Sequence, residues 1–185
     1  MSPAPHLRLV PRTVTQGPDE ACLAAFQEQF DYVWRTLRRF GAPPSEIEDL
    51  VQDVFLALRR SWSEYDPARP LRPYLVGIAF RIAAASQRKR SREVVSESIE
   101  AGYSGPGPED MLQAKQARAV VLAALERIPL PRRAVLVMHD LDDIPVRDVA
   151  TALSVPLFTV YSQLRKARQE LEVALRRVLK EAPVP

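Results

Sequence analysis

Six glycines, two histidines and one cysteine in 185 residues leave little material for several kinds of site. A lone Cys22 cannot close an internal disulfide, and His6 with His139 cannot supply zinc-finger ligand spacing. So few glycines leave little room for phosphate-cradling loops, and neither a P-loop nor GxGxxG occurs. No Ser/His/Asp set stands at recognisable spacing. Apolar runs are short, as in Ala119–Leu125, and fall far below the roughly 18 residues of a membrane span. The amino terminus, MSPAPHLRLVPR, carries no apolar segment of the secretory kind, so a cytoplasmic location is expected. These absences argue against an enzyme and against any metal or cofactor.

What the chain has in excess is proline, 17 residues. Proline breaks helix interiors but suits first turns and the residues just past helix ends. The proline-free stretches 19–42, 45–66, 74–105, 109–128, 132–144, 146–155 and 157–182 mostly carry apolar residues at helical spacing. Leu75, Ile78, Ala79 and Ile82 form one stripe; Val160, Leu164, Ala167, Leu171, Leu175 and Val178 form another. Strand-like alternation is nearly absent, and the expected fold class is all-α. Residues 1–18 have no periodicity and are expected to be a disordered tail. Residues 93–108, EVVSESIEAGYSGPGP, have the composition of a flexible linker. They divide the chain into two small helical domains, 19–92 and 109–180. Each is small for an independent core, so a binding partner is expected to help hold them.

Charge is segregated along the chain. Residues 19–66 hold ten acids against five bases, whereas 67–92 hold seven bases and no acid. The linker is purely acidic, and 156–180 hold six bases against Glu170 and Glu172. Two basic helices around an acidic linker suggest two contacts with one polyanion, because a basic helix without acids lacks the usual i,i+4 partners. Trp62, Tyr65, Tyr74 and Phe80 flank the first basic stretch; such aromatics either pack in a core or stack on unpaired bases.

The sharpest local pattern is VRDVATALSVPLFTVYSQLRKARQEL, residues 146–171. A short helix at 146–153 is followed by a turn at Ser154–Val155, and Pro156 suits the first position of a second helix. Small Ala150 permits close approach of the two helices, and Val160 and Leu164 face the core. Thr159, Ser162, Gln163 and Lys166, at i, i+3, i+4 and i+7, then present groups that can reach base edges and phosphates in a major groove.

In order and content these motifs resemble the extracytoplasmic-function sigma factors of bacterial RNA polymerase. The run EIEDLVQDVFLALRRSWSEYDPARPLRPYLVGIAFRIAAASQRKR, residues 46–90, is similar to sigma region 2. IPLPRRAVLVMHDLDDIPVRDVATALSVPLFTVYSQLRKAR, residues 128–168, is similar to region 4. The resemblance implies a specificity subunit that binds core polymerase at its clamp and flap and directs it to promoter DNA. Asp49, Gln52 and Asp53 match the clamp-docking helix. Trp62, Tyr65, Arg69, Arg72, Tyr74, Arg81, Arg88 and Lys89 fall in the part that opens and reads the −10 element. Phe158, Thr159, Ser162, Gln163, Arg165 and Lys166 fall in the −35 recognition helix. An anti-sigma partner that occludes both basic faces is an expectation from the family.

The chain departs from the family pattern at several positions. Tyr74 stands where tryptophan is usual, Phe80-Arg81 replaces Arg-Asn, and Ala85 replaces aspartate. Ser154 replaces the turn glycine, Phe158 the glycine of Gly-Thr-Val, and Gln163 an arginine. The alternative reading is a stand-alone helix-turn-helix regulator that binds duplex DNA without polymerase; a sigma-like adaptor that binds polymerase but not promoters is a third. The carboxylates Asp140, Asp142 and Asp143 lack the spacing of a calcium loop and are expected to be solvated. His139 is expected to be a packed or surface residue at a helix end.

Overall fold

The computed structural model of the chain describes residues 18–93 and 109–181, and these form helices with no strand among them. The expected tail at 1–18 lies outside the described residues except for Pro18, and so does the expected linker except for Glu93. The order is α1 (Pro18–Arg39), α2 (Ile47–Ser61), a 3₁₀ turn (Trp62–Glu64), α3 (Leu71–Glu93), α4 (Glu109–Glu126), α5 (Leu130–Leu136), a π-helical extension of α5 (Val137–Leu141), α6 (Val146–Leu153) and α7 (Leu157–Glu181).

Several prolines stand one residue before the first helical position. Pro129, Pro145 and Pro156 each precede a helix, and their carbonyls accept the first helical bonds from Arg133, Val149 and Thr159. Pro156 therefore caps α7 instead of opening it. Pro129 and Pro145 have extended ψ near 135–140°, which turns the chain sharply into the helix behind it.

Two helices end in the same way. α1 closes on Gly41 at φ 87°, with bonds from the Gly41 amide to the Arg38 carbonyl and from the Ala42 amide to the Leu37 carbonyl, 3.0 Å each. α6 closes with the same pair of bonds, Ser154 to Thr151 and Val155 to Ala150, but here the left-handed residue is a serine at φ 55°. A β-carbon in this region costs roughly 1–2 kcal/mol, partly offset by the larger unfolded-state entropy of glycine. Ser154→Gly is thus expected to stabilise the fold by about 0.5–1 kcal/mol. A thermal melt followed by circular dichroism would rise by roughly 2–3 °C; a fall would mean that the serine hydroxyl matters to the turn.

α1, α2 and α3 pack together, while α5 and α6 pack on α7, with α4 lying along α7. One buried cluster runs through both groups, from Cys22 and Phe26 to Leu164 and Ala167. α3 is the hinge of this arrangement. The expected stripe Leu75, Ile78 and Ala79 is buried, Ile82 half so, but Val76 and Gly77 are buried as well. The helix is covered on its second side by α6, with α1 and α2 on the first. Gly77 is what permits this: a β-carbon there would lie 2.6 Å from the Ala152 carbonyl oxygen.

Polar groups brace the same junction. Asp142 was expected to be a solvated turn carboxylate. Its side chain is 8% exposed, accepting from the Tyr32 hydroxyl at 2.9 Å and Arg39 Nη1 at 2.6 Å. Burial, then the Asp142 charge, push the Tyr32 phenol well above its ordinary range. Asp140 is likewise not free: it takes both Nε and Nη2 of Arg168 on α7, whose hydrogen bond holds its carboxyl below the usual value. Buried Arg133 donates to the carbonyls of Glu126 and Ile128 and so caps the end of α4; burial lowers its pKa. His139 is half-buried, with Nδ1 3.0 Å from the Ile144 carbonyl oxygen.

Candidate polymerase and nucleic-acid interfaces

The acidic helix α2 is amphipathic by spacing. Ile47, Leu50, Val51, Val54 and Leu58 are buried, leaving Glu48, Asp49, Gln52 and Asp53 on the outer side. The acids of this region do different things. Glu46, half-buried, accepts from Ser86 Oγ at 2.8 Å and Arg90 Nη1 at 2.7 Å, so it ties the α2 start to α3. Asp49 and Asp53, one turn apart, are exposed and have no ion-pair partner among the described residues. With Gln52 between them they form an acceptor-rich face that costs nothing to uncover. Carboxylates on such a face suit arginines of a second protein.

Beyond α2 the chain turns through Trp62–Glu64 and an aromatic ladder forms. Trp62 stacks on Tyr65 with centroids 5.3 Å apart, and Tyr65 meets Tyr74 at 5.4 Å. Tyr74 donates its hydroxyl to Ser61 Oγ at 2.7 Å, and Tyr65 donates to the Arg69 carbonyl. Burial raises the Tyr65 phenol. These bonds hold the rings half-exposed, close in kind to the platform that stacks unpaired bases. Arg69 lies beside the ladder, 3.7 Å from Asp66. Arg72 turns the other way: it donates to Gln29 Oε1 and its guanidinium sits 5.0 Å over the Tyr32 ring.

Farther along α3, beyond Arg72, the exposed cations are Arg81, Arg88, Lys89 and Arg92. Arg81, Arg88 and Arg92 follow the i, i+7, i+11 spacing of a single face, with exposed Ala85 between them. Arg92 belongs to the basic run 67–92, and its spacing from Arg81 and Arg88 is what puts it on this face. Tyr74 and Arg88 are 14 residues apart on one helix, roughly 21 Å. The ladder and the cationic face thus extend along one edge, suited to a strand whose bases stack at one end while its phosphates follow α3.

The helix-turn-helix is α6, the Ser154 turn and α7. Val149, Val160, Leu164 and Ala167 are buried, which fixes the rotation of α7. The outermost side chains are then Phe158, Tyr161, Ser162, Arg165, Lys166 and Gln169, while Thr159 and Gln163 are half-buried. Of the polar set that spacing puts on one face, Ser162 and Lys166 are exposed and Thr159 and Gln163 half-buried, and the same exposed side also carries Phe158, Tyr161 and Arg165. Of the bases on α7, Arg168 pairs with Asp140 and Arg176 with Glu172, whereas Arg165 and Lys166 have no ion-pair partner among the described residues.

Family models match two separate stretches of the chain. The family described as sigma-70 region 2 matches residues 26–93, and sigma-70 region 4 matches 118–171, together more than half of the chain. The chain is 27% identical to the RNA polymerase sigma factor NccH of Alcaligenes xylosoxydans xylosoxydans over 175 residues, 89% of this chain and 92% of that one. It is also 27% identical to the ECF RNA polymerase sigma factor SigE of Mycolicibacterium smegmatis, over 83% of this chain and 62% of that one. In fold it resembles CnrH, solved with the cytosolic domain of CnrY (TM-score 0.57, 20% identity, 87% of this chain and 99% of that one). It also resembles RpoE of Bartonella quintana, solved with the anti-sigma factor NepR (TM-score 0.58, 22% identity, 82% and 97%). No helix among the described residues is long and apolar enough to cross a membrane. The region 2 and region 4 matches, in the order in which the acidic helix, the aromatic ladder and the helix-turn-helix occur, place this chain in the extracytoplasmic-function sigma factors, non-enzymatic subunits that direct RNA polymerase to promoters.

Proposed function

We propose that residues 19–92 dock on the polymerase clamp through Asp49, Gln52 and Asp53 and take up the −10 strand. Residues 109–180 place α7 in the −35 major groove beside the polymerase flap. Trp62, Tyr65 and Tyr74 stack on flipped bases, Arg69 lies beside them, and Arg81, Arg88 and Lys89 follow the phosphates. Arg72, held by Gln29 and Tyr32, supports the start of α3 instead of reaching the strand. Work of this kind takes place in the cytoplasm. The observation that carries the reading is the pairing of an acidic face without internal partners on α2 with an aromatic–cationic edge on α3, directly adjacent in the fold.

Energetics assign the chain a subunit's role. Unstacking DNA costs on average about 1.4 kcal/mol per step, so a bubble of roughly ten pairs costs more than 10 kcal/mol. Each base stacked on an aromatic ring returns only about 1–3 kcal/mol. The ladder can start melting, and polymerase contacts must complete it. An anti-sigma partner, of the kind NepR is to RpoE, that covered the basic faces of α3 and α7 together would keep this chain from promoter DNA.

Run-off transcription on fragments of the source genome, with core polymerase and with or without the protein, tests the reading. Discrete transcripts that depend on the protein are expected. Specific duplex binding without polymerase, and no new transcripts, would favour the stand-alone regulator instead.

A further inference from the structure

The first turns of α7 expose an unusual set of side chains for a helix that meets DNA. Phe158 is 75% exposed and Tyr161 58%, and Leu157 beside them is 40% exposed. Single exposed apolar residues are ordinary on a protein surface. Here, however, two aromatics at i and i+3 share the face fixed outward by Val160 and Leu164, at the end of the helix proposed above to enter the groove. Their surroundings are cationic. No acid occurs between Asp148 and Glu170, and the ion pairs among the described residues leave Arg147, Arg165 and Lys166 without a carboxylate. An apolar tip inside a positive rim suits an apolar feature on a polyanion.

B-DNA offers one such feature in its major groove, the C5 methyl of thymine. Phenylalanine has no group to pair with the guanine O6 or the cytosine amino group, and covering either would leave it unsatisfied. We infer that Phe158, with Tyr161 behind it, reads thymine methyls in the −35 element and so sets a thymine preference there. The inference rests on the assignment of α7 as the −35 helix and deepens it.

The test uses holoenzyme reconstituted from the full chain and core polymerase, on a promoter mapped by the run-off assay. Each −35 thymine is replaced in turn by deoxyuridine, which lacks only the methyl, and holoenzyme affinity is measured by competition. Removing a contacted methyl should weaken binding about three- to fivefold at one or two positions. Phe158→Ala holoenzyme should bind thymine and uracil duplexes alike there, while Phe158→Leu keeps part of the difference. Because Phe158 is exposed, the melting temperature of the variant should be unchanged. Equal binding of uracil at every −35 position, a −35 element without thymine, or undiminished discrimination by Phe158→Ala would each overturn the inference. So would loss of core polymerase binding by Phe158→Ala in the absence of DNA, which would assign the aromatic tip to a protein contact. Failure of the underlying assignment looks different: replacing the whole −35 element then leaves holoenzyme affinity unchanged.

Discussion

Asp53→Lys is expected to abolish polymerase binding while leaving the fold intact. The folded state has little stake in this carboxylate: it is exposed, has no ion-pair partner among the described residues, and sits beyond the first turn of α2, where the helix dipole no longer favours an acid. Lysine is also the better helix former. The stability change should stay within about 0.5 kcal/mol. On the partner's side the change is large. Truncating one member of a desolvated charge pair costs about 2–5 kcal/mol, and reversing it sets like charges together. A loss of about a hundredfold or more in affinity for core polymerase is expected, with a smaller loss for Asp53→Asn. Fluorescence competition against labelled wild-type protein would measure both. If Asp53→Lys competes as well as wild type, the docking face is not on α2. Run-off activity should fall in parallel with affinity, because occupancy of polymerase limits initiation.

Much of this molecule could be read one helix at a time. Proline placement gave the all-α class and most helix starts, and apolar spacing gave the buried side of α2. The turn between α6 and α7 was visible because Ser154, Val155 and Pro156 interrupt two periodic runs. Contacts between distant segments could not be read in this way. Asp142 meets Tyr32 and Arg39 across more than 100 residues, and nothing local distinguishes it from Asp143, which is exposed. Spacing shows that a helix has an inner face; it does not show that a second helix covers the other. Val76 and Gly77 are buried because α6 lies on α3, and a single sequence carries no sign of that pairing. The rotation of α7 illustrates the same limit. Spacing puts 159, 162, 163 and 166 on one polar face, but the depth of Val160 and Leu164 in the shared core decides which residues stand outermost: Ser162 and Lys166 do, Thr159 and Gln163 are half-buried, and Tyr161 stands out beside them.

The junction between α3 and α6 bears on how the protein engages DNA. The −35 and −10 elements lie about 25 base pairs apart, roughly 85 Å along B-DNA at 3.4 Å per pair. A compact chain of this length has a radius of gyration of about 16 Å. On the proposed assignment of the aromatic ladder to the −10 element and of α7 to the −35 element, α3 packed against α6 cannot reach both, so this packing is expected to part before the promoter is spanned. The 15 residues from 94 to 108 permit a separation of at most about 50 Å, and the dimensions of the two helical units add the remainder. Gly77→Val isolates the junction. Its side chain would collide with the Ala152 backbone, which cannot move aside as a flexible side chain could. The free protein should lose about 3 kcal/mol or more, or come apart into two separately melting units. Chemical denaturation would show this as a lower midpoint or a split transition, and the hydrodynamic radius would increase. Promoter-dependent transcription at saturating polymerase should nevertheless survive, because the variant disfavours only the arrangement that the DNA-bound state must leave. Unchanged stability in Gly77→Val would mean that α3 and α6 do not meet in the free protein. Lost transcription with intact polymerase binding would mean that this stretch of α3 is needed on the promoter itself.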